Sequence, residues 1–149
     1  MTTLRNEITI NAPLEKIWSI LASLGELDKY DPTVQKSAVT SQNASGLGSS
    51  RKVDMKDGKH WFKEKTTMCK PNEALAFELT ECNFPINGLR HSYSFERTGD
   101  QTKVVQIMEY EVKYGFLGRI MDALMLRRQT DAGIKKFFRG LKEYAERNT

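Results

Sequence analysis

Hydrophobic residues recur with a period of two through most of this chain, and the pattern becomes helical in two places. Residues 6–10 alternate short polar and apolar side chains and predict a first strand. Asn11-Ala12-Pro13 follows. Asn11 is a candidate cap, and Pro13 suits a first helical turn because its missing N–H would be unpaired there. Ile17, Ile20, Leu21 and Leu24 lie at helical spacing up to Gly25. A second short helical turn over 26–30 ends before Asp31-Pro32, where proline disfavours the α conformation at the preceding residue.

Strands are predicted over 34–40, 51–55, 59–68, 75–79, 89–95 and 104–112. Turns are marked by Gly46 to Ser49, Asp57-Gly58, Lys70-Pro71-Asn72 and Thr98-Gly99-Asp100, and a longer connection over 83–88 contains Pro85. From 117 to 147 the pattern is helical, with Ile120, Leu124, Ile134, Phe138, Leu141 and Ala145 on one stripe. Gly133 and Gly140 weaken that helix locally. The order is strand, two short helices, six strands and one long helix. It defines an α+β fold with one antiparallel sheet and the helices on one face.

The turns also set a register. If Asp57-Gly58 forms a two-residue hairpin loop, Met55 faces His60, Val53 faces Phe62 and Arg51 faces Glu64. Pairing Met68 with Leu75 places Thr66 opposite Phe77 and Glu64 opposite Leu79. In the last hairpin, Phe95 opposite Val104 sets Tyr93 against Gln106, His91 against Met108 and Leu89 against Tyr110. Because side chains alternate across a strand, all three turns define one inward face.

That face is apolar but carries too many polar groups for a dry core, since each buried one needs a partner. Arg51, Val53, Phe62, Glu64 and Phe77 come from the middle strands. His91, Tyr93, Gln106, Met108 and Tyr110 come from the last hairpin, and Leu124 from the long helix. A mostly apolar lining with a few convergent polar groups is the pattern of a small-molecule site. The plainer reading makes Arg51 and Glu64 a structural ion pair. Glu64 and His91 are the candidate acid and base, and Arg51 could pair an anionic ligand head.

Composition narrows the function classes. The chain has 149 residues, 39% hydrophobic and 28% charged, and reads as one domain over 1–149. No run approaches the ~18 apolar residues of a membrane span, and the first residues have no leader pattern, so a cytoplasmic location is expected. Cys69, predicted outward, and Cys82 fit no disulfide framework or zinc motif. Phosphate loops, nucleophile elbows and HExxH motifs are absent. His60, Glu64 and His91 lack the spacing of a metal centre, and no metal or cofactor is expected.

The net charge of +4 is spread along the chain, so no nucleic-acid partner is expected. Lys52, Lys56, Lys59, Trp61 and Lys63 share the outward side of one hairpin. A solvated anti-aggregation face explains them most simply, with contact to an anionic membrane as the alternative. Either a monomer or a homodimer is compatible with the sequence.

One resemblance adds to this reading. The run Ile8-Thr9-Ile10-Asn11-Ala12-Pro13, followed by Ile17-Trp18 and Leu21, resembles the N-terminal signature of the START-like superfamily, also called SRPBCC. This group holds polyketide cyclases/dehydrases, lipid-transfer proteins and birch-pollen-allergen relatives. Further matches are Gly46-Leu47-Gly48 before Arg51, Glu64 in the fourth strand, and Gly99 to Val104 before the last strand. Gly115-Phe116-Leu117-Gly118 and Leu141-Lys142 match at the two ends of the helix. The resemblance implies a helix-grip fold: a curved seven-stranded antiparallel sheet around a C-terminal helix and a deep cavity. It further implies binding or transport of an apolar molecule such as a lipid or polyketide-like compound. The alternative it offers is a cyclase/dehydrase-like reaction using Glu64 and His91. Fold analogy does not choose between them.

Overall fold

The computed structural model describes residues 1–113, 120 and 125–147. Strand β1 (Thr2–Ile10) leads into helix α1 (Leu14–Ala22) and a 3₁₀ turn (Leu24–Lys29). Six strands follow: β2 (Val34–Val39), β3 (Ser50–Met55), β4 (Trp61–Lys70), β5 (Ala74–Cys82), β6 (Ile86–Thr98) and β7 (Gln101–Val112). Helix α2 (Arg127–Glu146) is the long C-terminal helix. The strands form one antiparallel sheet in the order β1-β7-β6-β5-β4-β3-β2.

The hairpin registers agree with the turn chemistry. Arg51 pairs with Glu64, Val53 with Phe62, Tyr93 with Gln106 and His91 with Met108. Gly58 and Gly99 have φ of 73° and 65°, backbone that glycine adopts without a side-chain clash. The β4–β5 register shifts in two places, between Lys63 and Glu64 and again after Thr66. Thr66 does face Phe77, but a bulge then sets Met68 opposite Ala76 and Cys69 opposite Leu75. The extra residue reverses the alternation. Met68 is exposed, and Cys69, expected outward, packs half-buried against the core.

The helices also differ from expectation. Pro13 occupies the cap position of α1 at φ −68° and ψ 148°, with no side-chain cap. Asn11 instead donates its backbone N–H to Glu146 Oε2 at 2.8 Å. The first helix stops at Ala22 rather than Gly25, because Ser23 is extended and its hydroxyl donates back to the Ser19 carbonyl. Ile120 was expected on the apolar stripe of the long helix but is exposed. A wider π-type turn at Met125 and Leu126 precedes the regular helix that carries Ile134.

Helix α2 is pinned to the β1 side of the sheet. Asn6 Nδ2 donates to Asp131 Oδ1 at 2.9 Å, and Lys142 Nζ donates to the Thr9 carbonyl at 3.2 Å. Its apolar stripe buries Ile134, Phe137, Phe138, Leu141 and Ala145. Gly140 is part of this docking. A methyl group there would overlap the Tyr30 carbonyl, so glycine lets the helix approach the end of the 3₁₀ turn. Arg127, Arg128 and Asp131 open α2, and Asp131 also pairs with Lys135 at 2.7 Å.

Candidate functional site

The inner face of the sheet joins side chains that are distant in sequence. β3 supplies Arg51 and Val53, β4 Glu64, β5 Phe77, β6 His91 and Tyr93, and β7 Gln106 and Tyr110; all are buried. Phe62 and Met108 are half-buried against the same core. Leu124 lies outside the described residues.

At the centre is a charged relay. Arg51 donates to Glu64 Oε2 from Nε at 2.8 Å and from Nη2 at 2.6 Å. Its Nη1 reaches the Leu24 carbonyl at 3.3 Å, and its guanidinium lies 5.3 Å from the centre of the Phe77 ring. The other oxygen of Glu64 meets His91 Nε2 at 2.8 Å. Burial alone would push the Glu64 carboxyl up, and this is the largest single influence. Arg51 and His91 together outweigh it and hold the pKa down to about 2. Burial likewise opposes the charge on Arg51, but Glu64 raises its pKa above the ordinary value. Glu64 is therefore a fixed anion whose two oxygens are both occupied.

An aromatic wall surrounds the relay. His91 stacks on Phe77 at 5.1 Å and meets Tyr93 edge-on at 5.6 Å. Tyr93 and Tyr30 both contact Phe137 of α2, at 6.1 and 5.9 Å. Gln106 Nε2 donates to the Tyr93 hydroxyl at 2.9 Å. Burial pushes both Tyr30 and Tyr93 above the ordinary tyrosine pKa, so their hydroxyls stay protonated. Two buried polar atoms lack a hydrogen-bond partner among the described residues of this face: His91 Nδ1 and Gln106 Oε1.

Sequence reasoning missed Tyr30 and Phe137. Phe137 was within reach, because it lies three residues after Ile134 and shares its face of the helix. Tyr30 carried no such signal, since it ends a short turn whose direction only the fold determines.

His60 does not join the site. Its Nδ1 contacts Asp57 Oδ2 at 2.5 Å and its ring stacks on Phe84 at 5.0 Å, with the side chain exposed. Asp57 accepts from the backbone N–H groups of Lys59 and His60, which draws the imidazole back onto its own turn. No group of His, Cys, Asp and Glu side chains among the described residues could hold a metal.

On the outer face, Lys52 and Lys63 flank the Trp61 ring at 5.3 and 5.8 Å. Lys52 is 3.6 Å from Asp54, and Lys63 is 3.1 Å from Glu81. Two surface recesses lie away from the inner face: one of about 480 Å³ beside Pro13 and Gly99, the other of about 530 Å³ beside Lys16 and Tyr144. No described helix is long and apolar enough to cross a membrane.

A sheet of seven strands gripping a C-terminal helix, with a partly polar inner face, defines a helix-grip protein of the START-like class. Residues 1–146 match the family described as polyketide cyclase / dehydrase and lipid transport, and the chain belongs to that family. Its fold is similar to that of TTHA0849 from Thermus thermophilus, at 20% identity and a TM-score of 0.84 over 99% of both chains. It is similar to Zhui aromatase/cyclase from a Streptomyces species, at 14% identity and a TM-score of 0.84 over 98% of this chain and 94% of that one. A START superfamily protein from Mycobacterium smegmatis matches at 15% identity and a TM-score of 0.81 over 99% of both. A search of curated protein sequences returned no match.

Proposed function

We propose that the protein binds an apolar small molecule between the sheet and α2, with Arg51, Glu64 and His91 as the polar floor of the site. The observation that carries this reading is the unpartnered His91 Nδ1. A buried polar atom left unpaired costs free energy, and such atoms in native proteins call for an explanation. A ligand would supply the missing partner, and Val53, Phe77, Tyr93 and Phe137 would supply apolar contact.

The cyclase/dehydrase-like alternative has support from the same atom. Glu64 is held as an anion by Arg51, so it suits orienting the imidazole rather than exchanging protons near neutrality. His91 would then be the proton-transfer group, with Nδ1 facing the substrate. Contact with an anionic membrane through Lys52, Lys56, Lys59, Trp61 and Lys63 has weaker support, because Asp54 and Glu81 offset two of the lysines.

Titration with the uncharged probe N-phenyl-1-naphthylamine tests the pocket. Saturable fluorescence at one probe per chain is expected, with displacement by compounds extracted from the purified protein. A linear, unsaturable response would exclude an internal binding site.

A further inference from the structure

The polar floor has a handedness in donors and acceptors that restricts what it can hold. Glu64 is an anion and accepts only, so the hydrogen in its 2.8 Å contact with His91 sits on Nε2. In the neutral imidazole the other nitrogen, Nδ1, then offers a lone pair. Arg51 already supplies the counter-charge to Glu64. Gln106 is fixed by the bond from its Nε2 to the Tyr93 hydroxyl, which leaves Oε1 as a second acceptor. These two residues are only 8% and 3% exposed, so water does not freely satisfy them. They come from the paired strands β6 and β7, with Tyr93 between them in the register.

The strong donor of the site is already engaged. Arg51 spends Nε and Nη2 on Glu64 and Nη1 on the Leu24 carbonyl. Three of its five N–H groups are thus committed, and a carboxylate ligand would meet two lone pairs and bring a second anion beside Glu64.

From this geometry we infer that the site selects an uncharged apolar compound bearing a hydroxyl group, which donates to His91 Nδ1 or Gln106 Oε1, and discriminates against the carboxylate of the same skeleton. Glu64 is a positioning residue in this arrangement: it fixes which imidazole nitrogen presents a lone pair. The inference rests on the pocket proposed above and goes beyond it by naming the ligand chemistry.

A matched series tests it without requiring the natural ligand: naphthalene, 2-naphthol and 2-naphthoate, measured by calorimetry with the whole chain at pH 8. Satisfying one buried acceptor corresponds to about a tenfold gain in affinity. 2-Naphthol is expected to bind about tenfold tighter than naphthalene, and 2-naphthoate more weakly than either. The naphthol preference should fall in His91→Phe, and in His91→Phe combined with Gln106→Leu the naphthol and naphthalene affinities should converge to within about twofold while naphthalene still binds. Gln106→Leu provides the second variant, with a reduced naphthol preference expected, and the wild-type series stands even if neither variant folds.

Equal binding of naphthalene and 2-naphthol, or tighter binding of 2-naphthoate, overturns the hydroxyl selection and leaves the pocket standing. A full naphthol preference retained in folded His91→Phe and Gln106→Leu overturns the assignment to these acceptors. Binding of none of the three overturns the pocket reading and this inference with it.

Discussion

Among the described residues two contacts join a carboxylate to a histidine, and they share little beyond their chemistry. Asp57 and His60 lie three residues apart on the β3–β4 turn, with side chains 46% and 42% exposed. Glu64 and His91 come from different strands, 27 residues apart, and are buried. The first pair is held by its own loop, where Asp57 accepts the backbone N–H groups of Lys59 and His60. Those two bonds and the imidazole pull the Asp57 pKa well below the ordinary carboxylate range. Water and salt screen this pair, so it serves mainly to shape a turn. The second pair exists only once the sheet has formed, and nothing screens it. Burial converts the same two groups from a local turn device into a costly interior feature.

The comparison predicts its largest effect at Glu64. Glu64→Leu leaves the Arg51 guanidinium buried without its counter-ion and is expected to cost about 3–5 kcal/mol in urea unfolding. Arg51→Met combined with Glu64→Leu should recover most of that loss, because both charges leave together. Asp57→Asn should shift the urea midpoint far less than Glu64→Leu. Comparable losses at Asp57 and Glu64 would erase the distinction between the two pairs.

Acid supplies a test of intermediate size. The Glu64 carboxyl has a lower pKa folded than unfolded, so as pH falls the unfolded chain takes up its proton first. The stabilisation is complete above an unfolded value of 4.5 and is lost as pH drops towards about 2. Its size is about 3 kcal/mol. Denaturation at stepped pH should show this fall in the wild type and a shallower one in the Arg51→Met, Glu64→Leu double variant. Parallel pH curves for the two proteins would mean that Glu64 does not contribute.

The smallest effect belongs to the outer lysines. Pelleting with anionic vesicles at low salt is expected to be slight and to disappear at physiological salt, because Lys52 and Lys63 already have acidic neighbours. Strong, salt-resistant pelleting would show that exposed charge matters more here than the comparison allows.

Most of the sheet was legible because its hairpins carry their own instructions. Asp57-Gly58 and Gly99-Asp100 set registers that extend correctly along β3, β4, β6 and β7. The first brings Arg51 opposite Glu64, and the β4–β5 and β5–β6 pairings then put His91 on the same face. What escaped depended on tertiary packing or on a local irregularity. The bulge after Thr66 exchanged the faces of Met68 and Cys69, and no residue type in that run announces it. His60 has the inward parity of its strand, yet its turn retained it through Asp57. Gly140 read as a weakness in a helix, whereas its lack of a side chain permits contact with the Tyr30 carbonyl. The link from Tyr30 to Phe137 depends on how α2 docks, which no local pattern encodes.

The strand order also has a consequence for the sequence of folding events. From β2 to β7 each strand pairs with its immediate successor, so this part of the sheet can zip together through short loops. β1 is the exception: Thr2 pairs with Tyr110 and Ile10 with Thr102, and all the other strands intervene. Closing a loop of that length costs entropy before any ladder bond rewards it, and distant contacts of this kind slow folding. During synthesis β1 emerges first and must wait, unpaired, until β7 has left the ribosome. Helix α2, which is tied to β1 through Asn6 and Thr9, then arrives last of all. The proposed site between helix and sheet would thus be complete only once β1, β7 and α2 have come together.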